Sequence, residues 1–195
     1  MSIEENRQYW NSLTAYNEAL SKMGFSAREP ELTKFFSTRL NPNQRILDLG
    51  VGVGVVYKLL KNLISPTKYV GADISETMLK HCKENTNDEI LLTLLTSSRL
   101  PFLENYFDVI ICYSVFPHLD PSTSESLLNE IQRVLKTGGK AYISIIEKEA
   151  SGGDYKTFFI HKTGEFQKSL ETRGFKIMSQ TKISGEPQTL IEVEK

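Results

Sequence analysis

The stretch from Arg45 to Val55, Arg-Ile-Leu-Asp-Leu-Gly-Val-Gly-Val-Gly-Val, restricts the folds open to this chain more than any other segment. An apolar, strand-like run (Ile46, Leu47, Leu49) enters three glycines at alternate positions, Gly50, Gly52 and Gly54. Val55 to Lys61 follows at once with helix-like composition. Glycine permits positive φ where a turn is tight and lets a ligand approach the backbone closely. A helix opening beyond the glycines offers unpaired N–H groups and partial positive charge, which suit a carboxylate or phosphate. A Gly-rich turn between strand and helix is a cofactor site in outline, with the cofactor unnamed.

The rest of the chain repeats the alternation of strand and helix. Lys68 to Asp73 reads as a second strand ending in a carboxylate, and Ser75 is placed to cap a helix from Glu76 to about Glu84. Glu89 to Thr96 is a third strand. Phe107 to Tyr113 is a fourth, almost continuously apolar, as befits a strand covered on both faces. Asp120-Pro121 opens a helix running to Lys136, with Ser122 and Glu125 at capping-box spacing and Gly138-Gly139 as its stop. Lys140 to Glu147 is a fifth strand, and a helix follows from about Gly164 to Thr172. Phe175 to Ile183 and Gln188 to Val193, joined by the turn Ser184-Gly185-Glu186-Pro187, read as an antiparallel hairpin. Upstream, residues 1–40 form two helices split at Gly24. The first carries Tyr9, Trp10, Leu13, Tyr16 and Leu20 on one face, and the second begins at Pro30. The expected fold is α/β: a doubly wound, mainly parallel seven-stranded sheet with helices on both faces and a C-terminal antiparallel hairpin.

Charge and cysteine usage narrow the function classes. A net charge of −1 over 195 residues leaves no basic face for nucleic acid or an anionic membrane. The apolar runs near Ile90 to Leu95 and Val109 to Phe116 are too short to span a bilayer. Cys82 and Cys112 have no metal-ligand spacing and are expected to be reduced. Glu4 and Glu5 argue against a signal peptide, so a cytoplasmic location is expected, with no metal, nucleic-acid or membrane partner.

Glycine spacing sorts the cofactors. The dinucleotide fingerprint Gly-x-Gly-x-x-Gly would need a glycine at Val55, counting from Gly50, or at Tyr57, counting from Gly52. Neither register fits, which disfavours a nicotinamide oxidoreductase. No Gly-Lys-Ser/Thr ending follows the turn, which argues against nucleoside triphosphates. Asp73 stands 19 residues after Gly54 and can accept hydrogen bonds from ribose hydroxyls, in a nicotinamide or an adenosyl cofactor alike.

Asp48-Leu49-Gly50-Val51-Gly52-Val53-Gly54 resembles motif I of the class I S-adenosylmethionine-dependent methyltransferases. Asp73-Ile74-Ser75 resembles their acidic second-strand motif. Leu100-Pro101-Phe102 with Phe107-Asp108-Val109-Ile110 resembles the fourth-strand region. Arg133 to Gly139 resembles the entry to strand five, and Leu170 to Phe175 the Leu-x-x-x-Gly-Phe stretch before strand six. The likeness runs from about Asn43 to Lys195 and is nearest the small-molecule, ubiquinone-biosynthesis-like branch. Two positions depart from the pattern: Thr137 replaces a common proline, and Thr96 replaces the aspartate that many members direct at the adenine amino group.

The resemblance implies a Rossmann-like methyltransferase fold in one domain, with 1–40 as an N-terminal helical lid and 43–195 as the cofactor-binding core. It implies S-adenosylmethionine as cofactor and a small-molecule methyl acceptor with an O, N, C or S nucleophile. The implied cofactor contacts are Asp48, Gly50, Gly52, Gly54, Asp73, Ile74, Ser97, Cys112 and Tyr113, with Tyr16 from the lid. His118 follows strand four, where the family often carries a histidine near the substrate, to shape the pocket or to act as a base. Tyr9, Tyr155 and His161 are the implied substrate contacts. The protein is expected to be a monomer or homodimer. The competing reading is a non-catalytic S-adenosylmethionine-binding sensor or partner subunit.

Overall fold

The computed structural model describes residues 3–12, 29–87, 89–146, 159–183 and 188–195. Helices α1 (Ile3–Trp10) and α2 (Glu29–Ser37) precede β1 (Ile46–Leu49) and a short α3 (Val55–Leu60). Next come β2 (Tyr69–Asp73), α4 (Glu76–Asn85), β3 (Leu91–Leu94) and β4 (Phe107–Cys112). The chain continues through α5 (Pro121–Val134), β5 (Leu135–Ile146), α6 (Thr163–Thr172), β6 (Lys176–Lys182) and β7 (Gln188–Glu194). The seven strands form one sheet in the order β3-β2-β1-β4-β5-β7-β6. β3 through β5 are parallel, while β7 runs antiparallel between β5 and β6. The doubly wound, mainly parallel sheet with its closing antiparallel pair is thus present.

Burial on both faces explains the apolar strands. β1 is buried along its whole length, and Val109 to Cys112 of β4 are without solvent exposure. One face packs Leu47, Ile110, Ala141 and Ile143 against Leu128, Ile131 and Val134 of α5. The other packs Ile46, Ile111 and Tyr142 against Phe35 and Phe36 of α2 and Tyr57 and Leu60 of α3. Both cysteines are free and buried. No helix among the described residues is long and apolar enough to cross a membrane.

Two motifs that are separate in sequence meet here. Arg133 donates to the carbonyls of Phe102 (2.8 Å) and Leu100 (2.9 Å), while Glu130 accepts from the Leu100 N–H at 2.7 Å. The Leu-Pro-Phe connection is therefore clamped by the last turn of α5. In the antiparallel half, Glu192 of β7 is nearly buried and accepts from Arg39, Lys140 and Ser179. Those donors outweigh the cost of burial and hold its carboxyl below the usual range.

Local details differ from expectation. The α5 cap is Asp120, whose carboxylate accepts from the Thr123 N–H (3.0 Å) and hydroxyl (2.7 Å) and from Ser122 (2.9 Å). These donors, led by the Thr123 N–H, pull its pKa down to about 2. Ser122 and Glu125 form no capping box; Glu125 pairs instead with Ser169 of α6 and with Arg173, which caps its C-terminus. Asp120 wins because the pyrrolidine of Pro121 occupies the first helical position, where its missing N–H costs nothing. Nor do Gly138 and Gly139 stop α5, which ends at Val134 as the backbone turns extended at Leu135. β3 is shorter than the apolar run suggests, with only four residues paired to β2.

Candidate active site

Parallel strands present their carboxyl ends at one edge, and the helices that follow begin there. At the end of β1 the turn is pinned by Gly50 and Val51 N–H groups donating to the Ala72 carbonyl of β2, at 2.7 and 3.1 Å. Gly50, Gly52 and Gly54 all have positive φ, at 77°, 52° and 83°. A Cβ at Gly50 would lie 2.2 Å from Val115 Cγ2, and one at Gly54 would meet Thr86 Cγ2 at 2.9 Å and Cys82 Sγ at 3.0 Å. At Gly52 the nearest atom would be the Gly50 carbonyl oxygen at 3.9 Å. The outer glycines are packed against protein, whereas among the described residues a Cβ at Gly52 would have room.

Asp73 ends β2 beside this space. Its carboxylate accepts from Gly52 N–H at 2.9 Å and Ser75 N–H at 3.0 Å, so one side chain ties the glycine turn to the start of α4. Burial outweighs these N–H donors and holds its carboxyl above the usual range. Asp48 lies deeper, 1% exposed, with the Tyr69 hydroxyl donating to it at 2.6 Å. Desolvation raises its pKa to about 7, the Tyr69 hydrogen bond opposing and the nearby Asp73 charge adding to the rise. Asp48 thus supports the turn from beneath. Ile74 is half-buried against the core.

The N-terminal segment crosses this edge. Asn6 donates to the His118 carbonyl (3.1 Å) and Arg7 to the Leu95 carbonyl (3.3 Å). The Ser75 hydroxyl, which accepts from Met78 N–H as the α4 cap, bonds the Trp10 carbonyl (3.0 Å) and Asn11 Oδ1 (2.8 Å). Trp10 meets the His118 ring edge-on at 4.9 Å, and Tyr9 meets Trp10 at 5.1 Å. Residues 6–11 are therefore fastened to the segments that follow β2, β3 and β4.

Some expected residues sit differently. The Cys112 thiol is wholly within the core, leaving only its backbone for a ligand, and burial pushes its pKa well up. Tyr113, also nearly buried, faces the opposite core cluster. Ser97 is exposed, and its hydroxyl donates to the Arg99 carbonyl at 3.2 Å. His161 packs between Phe116 and Phe166, with Nε2 3.2 Å from the Phe116 carbonyl, and burial lowers its pKa. That ring is part of an aromatic cluster rather than an open wall. Tyr16 and Tyr155 lie outside the described residues. Ser114, Val115 and Gln188 escaped the sequence reading; only a fold brings them to this edge.

A Rossmann-like domain with a glycine turn at β1 and an acid at the end of β2 is the class that fold and site define. Residues 47–143 match the methyltransferase domain family. An uncharacterized protein of Methanocaldococcus jannaschii is 36% identical over 138 residues, covering 68% of this chain and 55% of that protein. The ubiquinone/menaquinone biosynthesis C-methyltransferase UbiE of Wigglesworthia glossinidia brevipalpis is 36% identical over 109 residues, 53% of this chain and 43% of that protein. The chain spans about half the length of these curated relatives. Magnesium protoporphyrin IX methyltransferase from Synechocystis PCC 6803, solved with bound SAH, superposes with a TM-score of 0.80 at 17% identity, covering 98% of this chain and 99% of that one. The chain belongs to the class I S-adenosylmethionine-dependent methyltransferases.

Proposed function

We propose that this protein transfers the methyl group of S-adenosylmethionine to a small-molecule acceptor. The observation that carries the reading is the junction of Gly52 and Asp73: an open glycine next to a buried carboxylate at the switch between β1 and β2. The backbone of Gly50 to Gly54 would flank the cofactor's methionine part, Asp73 would take the ribose hydroxyls with its remaining lone pairs, and Ile74 would lie on the adenine. When bound, the cofactor supplies a methyl group already activated by a sulfonium charge. The protein's own work is then orientation and exclusion of water, and orientation alone lowers such barriers by roughly 7–11 kcal/mol. Residues 6–11, fastened across the edge, suit a cover that keeps water out. The relatives named for ubiquinone biosynthesis and for magnesium protoporphyrin IX support a small acceptor over a macromolecule.

Calorimetry with S-adenosylmethionine and S-adenosylhomocysteine tests the cofactor. Charged hydrogen bonds contribute about 1.5–3 kcal/mol, so Asp73→Ala is expected to weaken both ligands by about 10- to 150-fold. Unchanged affinity removes Asp73 from the site. Incubation with methyl-labelled cofactor and a metabolite extract tests the reaction. Tight binding with no label transferred would favour a sensor or partner subunit.

A further inference from the structure

Two residues beyond β4, Ser114 holds φ at 61°, a left-handed conformation that a serine adopts only when its surroundings impose it. Here two other strands impose it. Its N–H donates to Ser144 Oγ of β5 at 2.6 Å, and its own Oγ accepts from Gln188 Nε2 of β7 at 3.1 Å. Ser144 is fully buried, and Gln188 pairs with Ile146, the last residue of β5. The three residues make a neutral polar cluster at the carboxyl edge, on the side of the glycine turn away from Asp73. Val115, the next residue in the chain, is the one that packs on Gly50.

One atom of this cluster is unused. Gln188 is only 8% exposed, and its Oε1 has no hydrogen-bond partner among the described residues. Buried carboxamide oxygens are almost always matched, because leaving one unmatched forfeits its hydration for nothing. The Nε2 bond to Ser114 spends one end of the amide and leaves the carbonyl oxygen unmatched. An offered carbonyl oxygen takes a donor. Because the cluster holds no carboxylate, it suits a neutral hydroxyl better than an ammonium group.

We propose that Gln188 Oε1 receives a hydroxyl of the methyl acceptor, with Ser114 and Ser144 holding the carboxamide in place, so that the protein selects a hydroxyl-bearing small molecule. The assignment rests on the methyltransferase reading and adds the chemistry of the substrate to it. Phenol and anisole are a matched pair of probes, alike in shape but differing in the donor. Each is titrated into the protein saturated with S-adenosylhomocysteine, while the Gln188 side-chain amide and the Ser114 backbone amide are followed by nitrogen-15 NMR. Phenol should shift both signals and anisole neither. Gln188→Met, which keeps the length but loses the oxygen, should weaken phenol about 5- to 10-fold. Should that variant fail to fold, Ser114→Gly tests the same point. Glycine accepts the positive φ, the Nε2 anchor is lost, and phenol should again bind more weakly. Failure of the parent protein to bind S-adenosylhomocysteine overturns the methyltransferase reading and the inference with it. Binding of S-adenosylhomocysteine with phenol and anisole equivalent, or phenol affinity unchanged in the folded variant, overturns the inference alone.

Discussion

Gly50→Ala is expected to destabilise the protein by about 2–5 kcal/mol and to lower its thermal midpoint by roughly 5–15 °C. Two costs add. A side chain at φ 77° is strained by about 1–2 kcal/mol, and its Cβ would stand 2.2 Å from Val115 Cγ2. Shortening the neighbour separates them: Gly50→Ala with Val115→Ala should recover the steric part and leave the backbone part of about 1–2 kcal/mol. Gly52→Ala is the contrasting case. Its φ is also positive, but among the described residues its Cβ would meet nothing closer than 3.9 Å, so the stability loss should stop at about 1–2 kcal/mol. Its methyl would instead intrude on the open space beside Asp73, so S-adenosylhomocysteine binding should fall by more than the stability does. Urea denaturation and calorimetry on the three variants check this. Equal destabilisation by Gly50→Ala and Gly52→Ala would refute the account of the turn.

The second large effect is a pH dependence of unusual sign. Buried carboxylates that gain partners commonly stabilise proteins toward neutral pH, but Asp48 does the reverse. Its pKa rises from 3.8 to about 7 on folding, so the unfolded chain releases this proton first as pH increases. The stability it contributes is complete below about pH 4 and is lost as pH climbs through 7, a total on the order of 4 kcal/mol. Asp73, raised for the same reason of burial, acts in the same direction. Asp108, Asp120, Glu125, Glu130 and Glu192 are lowered, so the stability they contribute is lost only as pH falls below about 4.5, outside the Asp48 window. His161, lowered by burial, opposes this below about pH 6.5, but Asp48 and Asp73 together should still make the protein more stable near pH 5 than at pH 8. Asp48→Asn keeps an oxygen for the Tyr69 hydroxyl and cannot ionise, so it should flatten the profile between pH 5 and 8 and exceed the parent in stability at pH 8. Urea midpoints at half-unit intervals measure this; superimposable profiles would show that Asp48 does not titrate there.

What the chain declares about itself follows from the range of each interaction. The glycine turn, the apolar strands and the acid at the end of β2 are local signals, and each is found where its composition places it. Asp73 was legible as the carboxylate that ends β2 beside the turn. Its bond to Gly52 N–H was not, since 21 positions separate the two. At the start of α5 the sequence offers two local patterns, and Asp120-Pro121 is the one that caps the helix, while Ser122 with Glu125 does not. The Ser114, Ser144 and Gln188 cluster draws on two strands and the segment after β4, and no window of sequence holds them together. The thiol of Cys112 faces the core because a strand's period of two turns it there, and its backbone is what remains at the carboxyl edge.

The strand order also governs when the molecule is finished. β7 lies between β5 and β6, and β6 has no other neighbour in the sheet. A chain emerging from the ribosome makes β6 before the strand that must hold it, so β6 waits unpaired until residues 188–194 arrive and insert beside β5. Until then Glu192 is absent from Arg39 and Lys140, and Gln188 from Ser114. The parallel half can assemble first, whereas the antiparallel half closes only once residues 188–194 have been made. The polar cluster at the carboxyl edge thus comes into being in the same late step that completes the sheet.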